Sequence, residues 1–277
     1  MLADSPLVMG YCLFVIALLG LCMGSFLNCL AWRMTHDESV LKGRSHCTTC
    51  GHVLAARDLV PVLSWVMAKG RCRYCGERVS GRYPATELLC AVAYATIFLR
   101  YGLSVQTIEL VAFASVLLVL SLTDLDDYVI PNATIVACVA IRLAYVVYQG
   151  MSGQADLPVV LRDTLLGGFA VAIPVLVLAL VMDRVLGTES FGGGDVKLLF
   201  VAGMYFGWQQ CLFLVMLACV LGIAFGVVSQ RARTAKASDE GGSPRLIPFG
   251  PSIAAACWAT MLVGEQVVGW YLGFFGL

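Results

Sequence analysis

An all-α, polytopic membrane protein with one small soluble loop domain is the fold class this sequence predicts. Three observations carry that expectation. Of 277 residues, 60% are hydrophobic and 13% charged, and the mean hydropathy is +0.85. A soluble domain of this length has no use for so much apolar side chain. The apolar residues also gather into successive windows that approach the roughly 20 residues needed for one membrane crossing. Finally, a single sizeable polar stretch, residues 32–84, interrupts them.

The windows run approximately 7–31, 85–100, 106–123, 132–149, 163–183, 195–207, 210–229 and 247–272, which predicts about eight transmembrane helices. The first is too long for the core of a signal peptide. No Lys or Arg precedes it and no small-residue cleavage site follows, so it is read as a retained span. The second and sixth windows are short. The expected division is a first span (1–31), a soluble domain (32–84) and a membrane domain (85–277).

Orientation follows from the basic residues. Nine of the eighteen Lys and Arg lie between Arg33 and Arg82, and four more (Arg231, Arg233, Lys236, Arg245) lie in the polar 230–246 connector, read as flexible. Alternating spans place these two segments, with Arg184 and Lys197, on one side, so that fifteen of eighteen share a face. Basic loops stay on the cytoplasmic side, which makes 32–84 cytoplasmic. Such clustering reports topology rather than nucleic-acid binding, and no nucleic-acid partner is expected. The bilayer itself is the surrounding phase.

The soluble stretch holds Cys47-Thr-Thr-Cys50-Gly and Cys72-Arg-Tyr-Cys75-Gly, a C-x2-C-x21-C-x2-C array. A glycine after each pair permits the tight turn that aims two sulfurs at one point. Four thiolates at this spacing suit a tetrahedral structural zinc. A reducing cytoplasm argues against disulfides as the alternative, and a loop of some fifty residues with little apolar core gains stability from a metal clip. His46 and His52 flank the first pair and are read as bystanders. The remaining eight cysteines fall in the apolar windows as small hydrophobic residues.

Two aspartates stand at the ends of apolar windows. Asp124 opens Asp124-Leu125-Asp126-Asp127-Tyr128-Val129-Ile130-Pro131-Asn132, and Asp195 closes Phe191-Gly192-Gly193-Gly194-Asp195. A carboxylate near hydrocarbon is costly and persists where it faces a polar cavity and has a task. Asp195 precedes an apolar run, near a helix N-terminus. The glycines let an extended chain come close to the backbone, and no Lys-Ser/Thr follows in P-loop register, which excludes a nucleotide cradle. Asp124 and Asp127 share a helical face and Asp126 points elsewhere. Two carboxylates in one site can divide the work of hydrolysis, one activating water and the other polarising a carbonyl. No Ser/His/Asp set competes, because all three histidines precede Val53.

In this order the residues resemble the bacterial type IV prepilin peptidases. The resemblance begins at Gly24-Ser25-Phe26-Leu27-Asn28 and passes through both C-x-x-C pairs and Asp58-Leu59-Val60-Pro61-Val62-Leu63-Ser64-Trp65. It continues with Gly70-Arg71-Cys72, Arg82-Tyr83-Pro84 and Glu87, and ends on Asp124 with Ile130-Pro131 and Gly192-Gly193-Gly194-Asp195-Val196-Lys197. It implies an aspartic endopeptidase of the inner membrane that removes the basic leader of prepilins or pseudopilins, in a type IV pilus or type II secretion system. Asp124 and Asp195 would be its catalytic pair, with Gly192, Gly194 and Lys197 in the active-site loop and Asp126 as the reserve acid. It further implies N-methylation of the new amino terminus with S-adenosylmethionine as donor, and zinc at Cys47, Cys50, Cys72 and Cys75. Thr48-Thr49 replaces a more usual Pro-containing spacer, and Asp127-Tyr128 stands where His-Gln is frequent.

Other readings make distinct demands. A presenilin-like protease carries a Tyr-Asp pair at its first aspartate, whereas Thr123 precedes Asp124 here. A transporter or non-catalytic scaffold with a metal-clipped loop would place its acids near the bilayer midplane. A peptidase without methyltransferase activity would keep both aspartates.

Overall fold

A computed structural model describes residues 6–36, 38–39, 43–187, 191–234 and 248–274. The elements are α1 (Pro6–Thr35), a single 3-10 turn (Ala56–Asp58), α2 (Leu63–Met67), α3 (Arg82–Tyr101), α4 (Val105–Asp127), α5 (Asn132–Met151), α6 (Leu157–Leu186), α7 (Gly193–Thr234) and α8 (Gly250–Phe274). Among the described residues, strand pairing is limited to two isolated bridges, His46 with Val53 and Arg71 with Arg78. All-helical architecture is the expected answer to hydrocarbon, because a helix satisfies its own backbone polar groups.

Among the described residues, every predicted window overlaps a helix, with two points of detail. Six helices (α1, α4, α5, α6, α7 and α8) are long and apolar enough to cross a membrane, as befits a multi-pass membrane protein. α3 has the length, but Thr86, Glu87 and Arg100 dilute its apolar run. The windows 195–207 and 210–229 are two halves of α7, which turns at Gly207 (φ 69°, ψ 173°), a left-handed residue without helical geometry. Beyond Thr234, the rest of the 230–246 connector lies outside the described residues.

The chain forms two compact units, Met1–Thr123 and Asp124–Leu277. In the first, α1 packs on α3 across Gly20 and Gly24. A Cβ on Gly20 would stand 2.6 Å from the Ala91 Cα, and one on Gly24 would stand 2.7 Å from the Glu87 Cα. This is the small-xxx-small contact that lets two helix backbones meet in a membrane. Asn28 on the same face donates to the Gly24 carbonyl at 3.1 Å and to the Thr86 hydroxyl. Leu27, Ala31, Cys90, Tyr94, Val119 and Leu122 form the core around it. The Tyr94 and Ser115 hydroxyls, 2.6 Å apart, join α3 to α4.

In the second unit, α6 and α7 meet at Gly167 and Gly203, where a side chain on either would strike the other's backbone. The break at Gly207 releases carbonyls of the preceding turn from their usual i+4 partners. Arg142 of α5 takes one of them, its Nε donating to the Met204 carbonyl at 2.9 Å while its guanidinium lies over the Tyr205 ring. The Tyr205 hydroxyl in turn donates to the Cys138 carbonyl at 2.9 Å.

Overpacking a tight helix contact costs roughly 1–3 kcal/mol. A Gly24→Val variant is therefore expected to unfold at a lower temperature in detergent than the parent. Gly10→Val, with nothing within 4 Å of its Cβ position, should unfold as the parent does.

Candidate active site and metal centre

The four-cysteine loop folds as a pair of matched knuckles. In the first, the Cys47 amide donates to the His52 carbonyl (3.0 Å) and the Gly51 amide to the Cys47 carbonyl (2.8 Å). In the second, the Cys72 amide donates to Glu77 (2.8 Å) and the Gly76 amide to Cys72 (2.9 Å). Gly51 (φ 69°) and Gly76 (φ 74°) occupy the left-handed region, as the glycine after each pair predicts. The four sulfurs lie within 4.8 Å of one another, and Cys47 and Cys75 are 3.9 Å apart. A metal bound tetrahedrally at about 2.3 Å per thiolate sets its sulfurs about 3.8 Å apart, so the donor set fits a metal ion. Backbone amides of Cys50 and Thr49 lower the Cys47 thiol to about 6, which keeps that sulfur ionised and ready to ligate at neutral pH.

Neither neighbouring histidine belongs to the cluster. His46 stands edge-on to Trp32 at 5.9 Å, and His52 lies against Tyr74 at 3.6 Å. Asp58 braces the second knuckle. Its Oδ2 accepts from the Tyr74 hydroxyl (2.9 Å) and the Ala55 amide (3.2 Å), and Arg73 Nε lies 3.3 Å from Oδ1. Burial alone would raise this carboxyl, but Tyr74, Ala55 and Arg73 together hold it below the usual carboxylate range.

The aspartates belong to the second unit. Asp124 occupies the last turn of α4 and is buried, 6% exposed, whereas Asp126 and Asp127 are exposed. Its Oδ2 accepts a hydrogen bond from the Gly250 amide at 2.9 Å. That amide opens α8, so Asp124 sits at a helix N-terminus that is not its own, where free amides and the helix dipole favour a carboxylate. Gly250 must be glycine here, because a Cβ would stand 2.7 Å from Asp124 Oδ2.

Asp195 lies in the first turn of α7, its amide donating to the Gly192 carbonyl at 3.0 Å. The glycine loop is held on both sides. Ile130 packs against Gly194, where a Cβ would come within 2.9 Å. Phe191 meets Phe249 edge to face, ring centroids 6.0 Å apart. Lys197 Nζ donates to Asn132 Oδ1 at 2.9 Å, tying the start of α7 to the start of α5. Phe249, the residue before the Gly250 that caps Asp124, is the ring that packs on Phe191 of the Asp195 loop, which brings the two acids' surroundings together.

Sequence reasoning had passed over Gly250. Its available signal was the run Pro248-Phe249-Gly250-Pro251, a turn opening a helix with Pro in its first turn.

Comparison with known proteins now bears on these two sites. Residues 18–101, which include the four cysteines, match the Bacterial Peptidase A24 N-terminal domain. Residues 111–227, which include both aspartates, match the Type IV leader peptidase family. The prepilin leader peptidase/N-methyltransferase of Pseudomonas putida is 32% identical over 280 residues, 93% of each chain. The chain belongs to the type IV leader peptidase family. Similar proteins of the same name in Bacillus subtilis (strain 168) and Stutzerimonas stutzeri are 30% and 29% identical. They cover 94% and 99% of this chain and 98% and 97% of their own. No solved structure matches. Membership bears out the resemblance drawn from the order of the motifs, and with it the reading of the chain as a membrane peptidase.

Thiolate ligation competes with protons. Metal bound to the purified protein is therefore expected to be retained at pH 7.5 and lost progressively on acidification, read as metal content after gel filtration at each pH. Cys72→Ser should lower that content at every pH.

Proposed function

We propose that this chain is a membrane aspartic endopeptidase that removes the leader of type IV prepilins or pseudopilins and then N-methylates the new amino terminus. The observation that carries the hydrolytic half is the pairing of Asp124 and Asp195. One is held at the N-terminus of α8 and the other in the first turn of α7, two helix starts joined by the Phe191–Phe249 ring contact. In that arrangement one carboxylate takes a proton from water as it attacks the scissile carbonyl. The other, protonated, donates a hydrogen bond to the carbonyl oxygen, and the departing amine receives the proton as the C–N bond breaks. Burial of Asp124 against exposure of Asp126 supports giving the first role to Asp124. Gly192 lets the Asp195 carboxylate lie close to the loop backbone, Gly194 makes room for Ile130, and Lys197 anchors that loop through Asn132.

The proposed layout is a first span (1–31), a cytoplasmic metal-binding domain (32–84) and a membrane peptidase domain (85–277). The protein is placed in the bacterial inner membrane with its site on the cytoplasmic side, on the strength of the basic residues gathered in 32–84 and 230–246. Cys47, Cys50, Cys72 and Cys75 would hold a structural zinc that clips the two knuckles together. S-adenosylmethionine, when bound, would supply the methyl group.

Asp124→Asn and Asp195→Asn are each expected to slow prepilin cleavage by about 10²–10⁴-fold while metal content and expression stay at parental levels. Asp126→Asn should cleave normally. Efficient cleavage by either of the first two variants would sink the assignment. Leader loss and a methyl gain, scored separately by mass spectrometry of the product, distinguish a bifunctional enzyme from a peptidase alone. Gly250→Val is expected to reduce cleavage as well, because its side chain must displace the Asp124 carboxylate.

A further inference from the structure

Between its two knuckles the chain carries an apolar wedge. Leu59 and Val60 lead into α2, where Leu63, Val66 and Met67 recur at the i, i+3, i+4 spacing of one helical face. All five are exposed, Met67 by 74%. The opposite face, Ser64, Trp65 and Ala68, lines a cavity inside the first unit. Trp65 is fixed there, its indole N–H donating to the Val79 carbonyl at 3.0 Å. Its ring lies against Gly70, where a Cβ would stand 2.9 Å away. With Trp65 held inward, α2 cannot turn about its axis to hide the apolar face. We propose that this wedge rests in the lipid leaflet at the C-terminal end of α1. Its apolar face lies among acyl chains and its flanking basic residues among anionic headgroups.

Height along α1 argues for lipid. A Cβ on Gly24 would stand 2.7 Å from the Glu87 Cα, so these two residues share a level. Glu87 Oε2 in turn accepts from the amide of Val62, the residue that opens α2, at 2.6 Å. Gly24 stands seven residues before Ala31, where the apolar run of α1 gives way to Trp32 and Arg33. That is about 10 Å along the helix axis. α2 therefore begins within one side chain's reach of a level that α1 occupies inside its apolar run. Phe26 and Leu88, beside that level on α1 and α3, are exposed as well, as lipid-facing residues are.

The backbone of the wedge is equipped for that medium. Glu87 takes the Val62 amide, and the amides of Ser64, Val66, Ala68, Lys69 and Gly70 donate to carbonyls of residues 60–66. Each is satisfied within the protein, as a segment without access to water requires. The bond to Glu87 also holds Val62 at φ 59°, a strain that a β-branched residue accepts only where its surroundings impose it.

Charge supplies a separate argument. Arg57 and Lys69, both exposed, bracket the wedge in the chain. Residues 32–84 carry nine basic side chains against four acidic ones. Basic residues beside an apolar face mark segments that lie in the plane of an anionic membrane. The basic leader expected of a prepilin would meet repulsion here, which disfavours substrate as the occupant. An anchor at α2 also fixes the second knuckle, because the Val79 amide donates to the Gly70 carbonyl at 2.8 Å.

The test uses the full-length protein in nanodiscs of phosphatidylglycerol and phosphatidylcholine that include a phospholipid with a photoactivatable acyl chain. Trypsin after irradiation releases residues 58–69 as one peptide, since Arg57 and Lys69 bound the wedge. That peptide is expected to carry lipid label while the knuckle peptide 45–57 stays unlabelled. Leu63→Glu combined with Met67→Glu should lower the labelling of 58–69 about tenfold or more, with metal content at the parental level because both side chains are exposed. Labelling should also be weaker in discs of phosphatidylcholine alone. The proposal is overturned if 58–69 stays unlabelled while α1 takes label, or if the double variant labels as the parent does. Labelling that ignores lipid charge would overturn the role given to the basic residues. Protection of 58–69 by added prepilin, or by a second protein copy in the disc, would assign the face to a protein partner and overturn the proposal as well.

Discussion

Within hydrocarbon, every backbone amide and carbonyl has to find a partner inside the protein. Helices meet that demand along their length and fail at their ends and breaks, and those are the places where this protein gathers polar chemistry. At the start of α8 the Gly250 amide is taken by the Asp124 carboxylate. At the start of α7 the Gly192 carbonyl receives the Asp195 and Val196 amides. At Gly207, where α7 turns, the Met204 carbonyl is taken by Arg142. Helix termini thus set the positions of both acids, and the remaining helix surface can be apolar.

Glycine plays two separate parts in this arrangement. In Gly20, Gly24, Gly167 and Gly203 it removes side chains so that helix backbones touch, which substitutes close packing for a hydrophobic driving force absent in lipid. Gly207 instead supplies a backbone conformation closed to other residues, and Gly250 supplies space for a carboxylate. The soluble loop solves a different problem. With few apolar residues to bury, it is organised by paired knuckles around four sulfurs and by the Asp58 brace.

Much of this was legible in the chain. The C-x-x-C-Gly repeats specify their own turns, because each glycine sits where a left-handed residue is required, and the two knuckles formed as expected. Apolar windows marked the helices because burial in lipid demands uninterrupted runs. The window reading separated 195–207 from 210–229, and α7 does break between them at the non-helical Gly207, although composition shows only a weakening of the run and not the backbone angles there. It also counted α3 with the spans, although Glu87 and Arg100 make it the least apolar of the long helices.

Local sequence determined the helical, membrane-embedded class, the four-cysteine loop and the two aspartates as the acids of interest. These follow from patterns spanning a few turns, and local physical chemistry reads them directly. Tertiary structure alone decided that Asp124 is the buried acid of its cluster, that Gly250 caps it from 126 residues away, and that Glu87 reaches Val62. Each of these is a contact between segments distant in the chain, and helical periodicity carries no information about which distant amide a carboxylate will meet.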